Sequence, residues 1–114
     1  MQSNGADGNL LRGTLDFLLL ASLEHGPLYG LRIIQDVQQR TGGHFNFKEG
    51  TLYPALHRLE KQGFIHGKFQ TLPRGGSPVK VYTLTPTGKT ELTAQRDKYD
   101  RFTRAVRGVI GGPA

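Results

Sequence analysis

The stretch EGTLYPALHRLEKQGFI, residues 49–65, decides the fold. Its larger apolar residues recur at spacings of three and four, which predicts a helix with one buried side. The other side carries hydroxyls, an imidazole and cations instead of a second apolar stripe. Gly63 ends the pattern, and the residues after it alternate as a strand does. The polar side of this helix is therefore the first candidate for a functional surface.

The charge of the chain is concentrated around that helix. The chain has 114 residues, the length of one domain, and its 15 Lys and Arg exceed its 9 Asp and Glu by six. Residues 48–80 contain six of the cations and two of the acids, so this part holds +4 of the net +6. A basic balance of this kind favours contact with polyanions.

Two further helices are predicted before this one. The first, Leu10–Glu24, is apolar on nearly every side, which is typical of a helix central to the core or shared with another chain. The second covers Leu28–Arg40, and the stretch already described predicts a third over Glu49–Gln62. Between the last two, His44–Phe47 alternates and predicts a short strand that pairs with the following hairpin.

After the third helix, the runs Phe64–Leu72 and Pro78–Thr85 predict a β-hairpin around the turn PRGGS at residues 73–77. Thr85 and Pro86 then begin a fourth helix as N-cap and first helical residue. Three helices followed by a hairpin wing indicate an α+β, mainly α fold, the winged helix-turn-helix, whose third helix enters the DNA major groove. The predicted organisation is a disordered segment at 1–9, a DNA-binding domain at 10–85, a dimerisation helix at 86–110 and a frayed tail at 111–114.

The polar face of the third helix and the hairpin supply the candidate DNA contacts. Cations offer charge for phosphates or guanine, and hydroxyls are short hydrogen-bonding groups. At the hairpin tip, an arginine among glycines is expected to enter the minor groove, where the potential is most negative. Lys68 and Lys80 are expected on one side of the hairpin. The predicted contacts are Lys48, Thr51, Tyr53, His57, Arg58, Lys61, Lys68, Arg74 and Lys80.

Apolar residues at spacings of three and four along the fourth helix predict a seam for packing against another helix. We expect a two-fold dimer in which this helix packs on its symmetry mate and on the apolar first helix. Such a dimer presents two recognition helices to half-sites about 34–36 Å apart, or a multiple of that distance. The predicted interface residues are Leu11, Leu15, Leu18, Leu92, Tyr99, Phe102, Val106 and Val109.

Catalytic and metal-binding chemistry is not predicted. The chain has no cysteine, and its four histidines are scattered without a metal-ligand spacing. No set of titratable residues converges by position, so neither an enzyme nor a cofactor is expected. The segment MQSNGADGN lacks the pattern of a secretory signal, and FLLLASL, residues 17–23, is too short to cross a bilayer. These features predict a soluble, cytoplasmic protein.

The chain resembles the PadR family of bacterial transcriptional regulators over about residues 10–110, in the short subfamily with one C-terminal helix. Three motifs carry the likeness: LLRGTLDFLLLASLEHGPLYG at 10–30, GTLYPALHRLEKQGFI at 50–65 and YTLTPTG at 82–88. The resemblance implies a homodimeric repressor of a pseudo-palindromic operator, released by a small aromatic or hydrophobic effector. It also implies that Tyr29 contacts a phosphate and that Leu15, Tyr99 and Phe102 are effector-binding residues.

The sequence departs from the family pattern at three points. The wing reads Val79-Lys80-Val81-Tyr82 where the family usually has Arg-Lys-Tyr-Tyr, so one cation and one aromatic ring are missing. Lys48 stands where relatives often place a serine cap. The chain contains no tryptophan, which excludes a tryptophan-based ligand sandwich.

Other functions are compatible with the same residues. The basic face of a winged helix could dock an acidic partner protein, and a polar helix face is often only solvated. Duplex binding that weakens steeply with salt would support DNA binding against the protein-docking alternative. An enzyme is a distant third.

Overall fold

The computed structural model describes the backbone of residues 5–112 and the side chains of residues 13–112. Four helices and three strands follow one another along the chain, and the elements occur in the predicted order except for one short strand. They are α1 (Gly5–Ser22), β1 (Leu28–Tyr29), α2 (Gly30–Arg40), α3 (Glu49–Lys61), β2 (Ile65–Gln70), β3 (Val79–Leu84) and α4 (Pro86–Ile110).

The core forms where the first three helices meet and the hairpin closes against them. Each helix contributes aliphatic side chains that are removed from water, and each such leucine or isoleucine stabilises the fold by about 1.5–3 kcal/mol. The largest fully buried side chains are Leu19, Leu20, Ile33, Leu52, Leu56, Leu59 and Ile65.

The sheet is antiparallel, with β3 between β1 and β2. Its third strand is Leu28–Tyr29 and not His44–Phe47, so the predicted strand at 44–47 is wrong. The alternation there has another cause: the rings of Phe45 and Phe47 stack 5.7 Å apart and pack against the core. The Phe45 amide donates to Thr41 Oγ1 at 3.1 Å, which holds this segment to the end of α2.

Two helices begin at residues other than those predicted. Because Leu28–Tyr29 pairs with β3, α2 begins at Gly30 instead of Leu28. The helix α1 begins at Gly5 instead of Leu10 and ends at Ser22, so residues 5–9 of the segment expected to be disordered are helical. Residues 1–4 of that segment and residues 113–114 of the expected frayed tail lie outside the described part.

The start of α4 is fixed to the rest of the domain. Thr85 is the N-cap, as predicted: its Oγ1 accepts from the Gly88 amide at 3.0 Å and donates to the Gly63 carbonyl at 2.6 Å. Gly88 lies directly against the carbonyl oxygen of Phe64, where a Cβ atom would have no room. The fourth helix therefore leaves the domain in a direction set by the junction between α3 and β2.

Candidate nucleic-acid interface

The third helix buries one side and exposes the other. Leu52, Ala55, Leu56 and Leu59 are buried, as the periodicity predicted. Residues on the opposite side share an arc because side chains three and four apart lie above one another. The exposed residues of this arc are Gly50, Thr51, Tyr53, Pro54, His57 and Lys61.

One edge of α3 is attached to α1 by an ion pair. Arg58 Nη2 donates to Asp16 Oδ1 at 2.9 Å, and the two side chains are 41% and 22% exposed. Thr51 lies about two turns earlier on the same edge and is exposed. Arg58 is therefore placed near the predicted surface, but it is held by a carboxylate that the sequence analysis did not identify.

At the start of α2, the ring of Tyr53 packs over Gly30. A Cβ atom on Gly30 would lie 2.6 Å from the Tyr53 hydroxyl oxygen, so any larger residue there would displace the phenol. Partial burial raises the pKa of Tyr53 above its usual 10.0, and the nearby Glu49 carboxylate acts in the same direction. Tyr53 thus joins α2 to α3 while remaining 42% exposed.

The hairpin is attached to α3 through Glu60, another residue that the sequence analysis missed. Its carboxylate accepts from Lys80 Nζ at 3.0 Å and from the Gly67 amide at 3.2 Å. Hydrogen bonding to Lys80 lowers the pKa of Glu60, and the same contact raises the pKa of Lys80. Lys80 is therefore engaged within the domain.

The hairpin register separates two lysines that were expected on one side. Lys68 pairs with Val81, whereas Lys80 pairs with Phe69, so Lys68 and Lys80 point to opposite faces of the sheet. The expectation that they share a side is wrong, because the turn length sets which residues of the two strands are opposite. Tyr29 also pairs with Val81 and thus lies on the face of Lys68.

The remaining predicted cations are exposed. Within the described side chains, no carboxylate lies within ion-pair distance of any of them. Lys48 occupies the N-cap position of α3 without a side-chain hydrogen bond there. Arg32, in the first turn of α2, is a further exposed cation that was not predicted; its position three residues after Tyr29, a predicted phosphate contact, was the available signal. The four predicted cations that are exposed and lack a described ion-pair partner are Lys48, Lys61, Lys68 and Arg74.

The predicted dimer residues divide into two groups. Leu15 and Leu92 are only 3% and 2% exposed and belong to the core of the chain itself, so their placement on an interface is corrected. Leu18 is partly buried against the same core. The side chain of Leu11 lies outside the described part. The exposed members are Tyr99, Phe102, Val106 and Val109.

The effector residues predicted from the resemblance are also divided. Leu15 is inside the core, whereas Tyr99 and Phe102 are exposed on α4. The Tyr99 ring contacts the Phe17 ring of α1, with centroids 5.7 Å apart. These positions bring two of the three residues to one face of α4.

The described residues offer neither a group of metal ligands nor a membrane-spanning helix. Among the side chains of residues 13–112, no three His, Asp or Glu are grouped as metal ligands. Of the helices described, none is both long and apolar enough for a membrane span.

Comparison with known proteins gives the family. The model of the transcriptional regulator PadR-like family matches residues 19–94. The chain is 35% identical over 79 residues to the negative transcriptional regulator PadR of Bacillus subtilis, an alignment that covers 68% of this chain and 42% of that protein. The chain therefore spans less than half the length of this relative.

Solved structures show the same fold. A transcriptional regulator from Clostridium thermocellum superposes with a TM-score of 0.79 at 25% identity, covering 90% of this chain and 98% of that one. A PadR family transcription regulator from Clostridium difficile superposes with a TM-score of 0.69 at 33% identity, covering 86% of this chain and 98% of that one. These likenesses confirm the winged-helix fold with its long C-terminal helix. The matched family and these solved neighbours are transcriptional regulators and not enzymes. Because the family model matches most of the chain, the protein belongs to the PadR-like family of transcriptional regulators.

Proposed function

We propose that the protein is a homodimeric repressor that binds a pseudo-palindromic operator in double-stranded DNA. The observation that carries the proposal is the group of cations around α3 and the wing that no described carboxylate neutralises: Lys48, Lys61, Lys68 and Arg74. Exposed cations on a helix and an adjoining hairpin form the positive surface that is typical of a nucleic-acid-binding domain.

Each part of this surface has a role in the proposed complex. The exposed arc of α3 enters the major groove, where His57 and Lys61 meet base edges or phosphates. Arg74 at the wing tip reaches the minor groove. Tyr29 and Lys68 contact phosphates from the outer face of the sheet. Lys80 contributes chiefly by holding the wing to Glu60, since that contact already uses its ammonium group.

Repression is proposed from the relative in Bacillus subtilis, a negative transcriptional regulator. Dimer formation is proposed from α4, whose apolar seam continues in water over Phe102, Val106 and Val109. A small aromatic or hydrophobic effector would bind between the two α4 helices, near Tyr99 and Phe102. The regulator would act in the cytoplasm.

The test begins with recovery of the operator by selecting genomic fragments that the protein retains. Affinity for this duplex is then measured over a range of salt concentrations. Lys61→Ala should lower the slope of log affinity against log salt by about 1, because one phosphate contact is lost. Lys98→Ala removes the same charge from the middle of α4 and should leave the slope unchanged. Failure of the wild-type protein to bind any duplex at low salt would contradict the proposal and favour an acidic protein partner.

A further inference from the structure

Asp16 is an acid in an apolar part of α1. Its chain neighbour Leu15 is buried, and Leu19, about one turn later, is fully buried. The other neighbour, Phe17, contacts Tyr99 of α4. The backbone at Asp16 is therefore fixed by the core and by α4, so its carboxylate is a rigid anchor at the edge of α3.

The partner of this anchor has the opposite character. Arg58 lies next to the buried residue Leu59, which is only 1% exposed. The side chain of Arg58 itself is long and 41% exposed. An arginine loses much of its rotamer entropy when it is fixed in one conformation. The Asp16 contact fixes the guanidinium before any ligand arrives, so this loss does not have to occur on binding.

Among the described side chains, the contact with Asp16 leaves most of the guanidinium available. Arginine has five N–H donors, and the described bond to Asp16 Oδ1 uses one nitrogen, Nη2. The other donors remain for a base edge or a phosphate. The carboxylate itself repels phosphates, so its presence lowers general attraction to DNA while it orients the group that reads it.

We infer that Asp16 is a positioning residue for operator specificity: it holds Arg58 so that its remaining donors meet the operator in one geometry. The inference rests on the proposed function, since it requires α3 to contact DNA. It distinguishes Arg58 from Lys61, which no described carboxylate orients and which would contribute to affinity for any sequence.

Asp16→Asn tests this inference, because it removes the charge at nearly constant shape. Affinity is measured for the selected operator and for a shuffled duplex of the same length, together with thermal unfolding. We expect the shuffled duplex to bind a few-fold more tightly and the operator more weakly. The ratio of the two affinities should fall about tenfold.

Controls separate this role from two simpler ones. Asp36→Asn breaks a comparable Asp–Arg pair, Arg40 Nη1 to Asp36 Oδ2 at 3.2 Å within α2, and should leave the ratio unchanged. A rise of both affinities at constant ratio in Asp16→Asn would reduce Asp16 to a screening charge. A parallel fall of both affinities with thermal stability would make it only a structural link. Either result overturns the inference.

A second variant keeps the test decisive if Asp16→Asn folds poorly. Arg58→Lys retains the charge but loses the planar fork, and should lower the ratio similarly. In the Arg58→Lys background, Asp16→Asn should lower the ratio no further. An unchanged ratio in Arg58→Lys also overturns the inference. If wild-type protein discriminates operator from shuffled duplex, such failures leave the proposed function standing; if it binds no duplex, both fail.

Discussion

The helices α3 and α4 both expose residues that the core does not use, but they are supported differently. The third helix has four buried residues and is attached at both edges by the Arg58–Asp16 and Glu60–Lys80 contacts. The fourth helix is buried only near its start, at Gly88 and Leu92, and ends in a long exposed seam.

The chemistry of the two exposed surfaces differs as well. The surface of α3 is polar and cationic, and water solvates it at little cost, so it can release and rebind a polyanion. The seam of α4 is apolar, and every square ångström of it left in water forgoes about 25 cal/mol. A rigid polar surface suits reversible recognition, whereas an unpaired apolar seam suits a lasting partner such as a second copy.

The junction between the two regions should give the largest effect. In Gly88→Ala the new methyl group would meet the Phe64 carbonyl oxygen, and Leu84 Cδ1 would lie 2.9 Å away. Because the clashing atoms of Phe64 belong to the backbone and not to a flexible side chain, we expect the free energy of unfolding in urea to fall by about 3 kcal/mol. Gly108→Ala is the matched control in the same helix, since its Cβ has open space within 4 Å. It should stabilise the protein by up to about 1 kcal/mol. Equal behaviour of the two variants would mean that α4 is not anchored at Gly88.

The exposed apolar seam of α4 should give the second-largest effect. Phe102→Ser should convert the proposed dimer to monomer in light scattering and weaken operator binding about 100-fold, because two linked half-site contacts become one. Phe69→Ser is the matched control, because Phe69 is 67% exposed and Phe102 66%, but Phe69 lies in the hairpin. It should remain dimeric. A monomeric wild-type protein, or loss of the dimer in both variants, would contradict the assignment of α4 as the dimer interface.

Much of the architecture could be predicted from the sequence because it depends on local patterns. The bounds of α3 agree to within one residue, since a strict apolar period and Gly63 define them. The N-cap of α4 follows from Thr85 and Pro86. The strand Leu28–Tyr29 has too few residues to show a period, and it is defined only by pairing with β3, which is far along the chain.

The sequence was enough to select cationic residues of the site, but not to predict which residues they contact. Arg58 and Lys80 could be selected as cations, but their partners lie 42 and 20 residues away, and no spacing rule reaches that far. The misassigned interface residues Leu15 and Leu92 show the same difficulty. An apolar residue is visible in the sequence, whereas the surface that covers it depends on the packing of whole helices.

The wing-side attachment of α3 should give the smallest effect and the most specific pH dependence. Lys80 holds the pKa of Glu60 below its ordinary 4.5, so the folded protein binds this proton less readily than the unfolded chain does. The stabilisation from Glu60 is therefore complete above pH 4.5 and is lost as pH falls through the lowered pKa. Glu60→Gln should cost less than about 1 kcal/mol of unfolding free energy at pH 7.

The difference between Glu60→Gln and wild type should shrink as thermal unfolding is followed from pH 5 toward pH 3. Glu24→Gln is the counterpart at the attachment of α4, because Glu24 lies in the turn after α1 and Arg96 of α4 lowers the pKa of its carboxyl in the same way. Its effect on stability should vanish over the same pH range, yet only Glu60→Gln should alter DNA affinity, since the charged groups that act on Glu24 are Arg96, His25 and Arg40, all outside α3 and the wing. A Glu60→Gln difference that persists unchanged at pH 3 would show that the contact acts through shape and not through charge. The two contacts that attach α3 would then differ: the Asp16 contact would act through its charge, and the Glu60 contact would not.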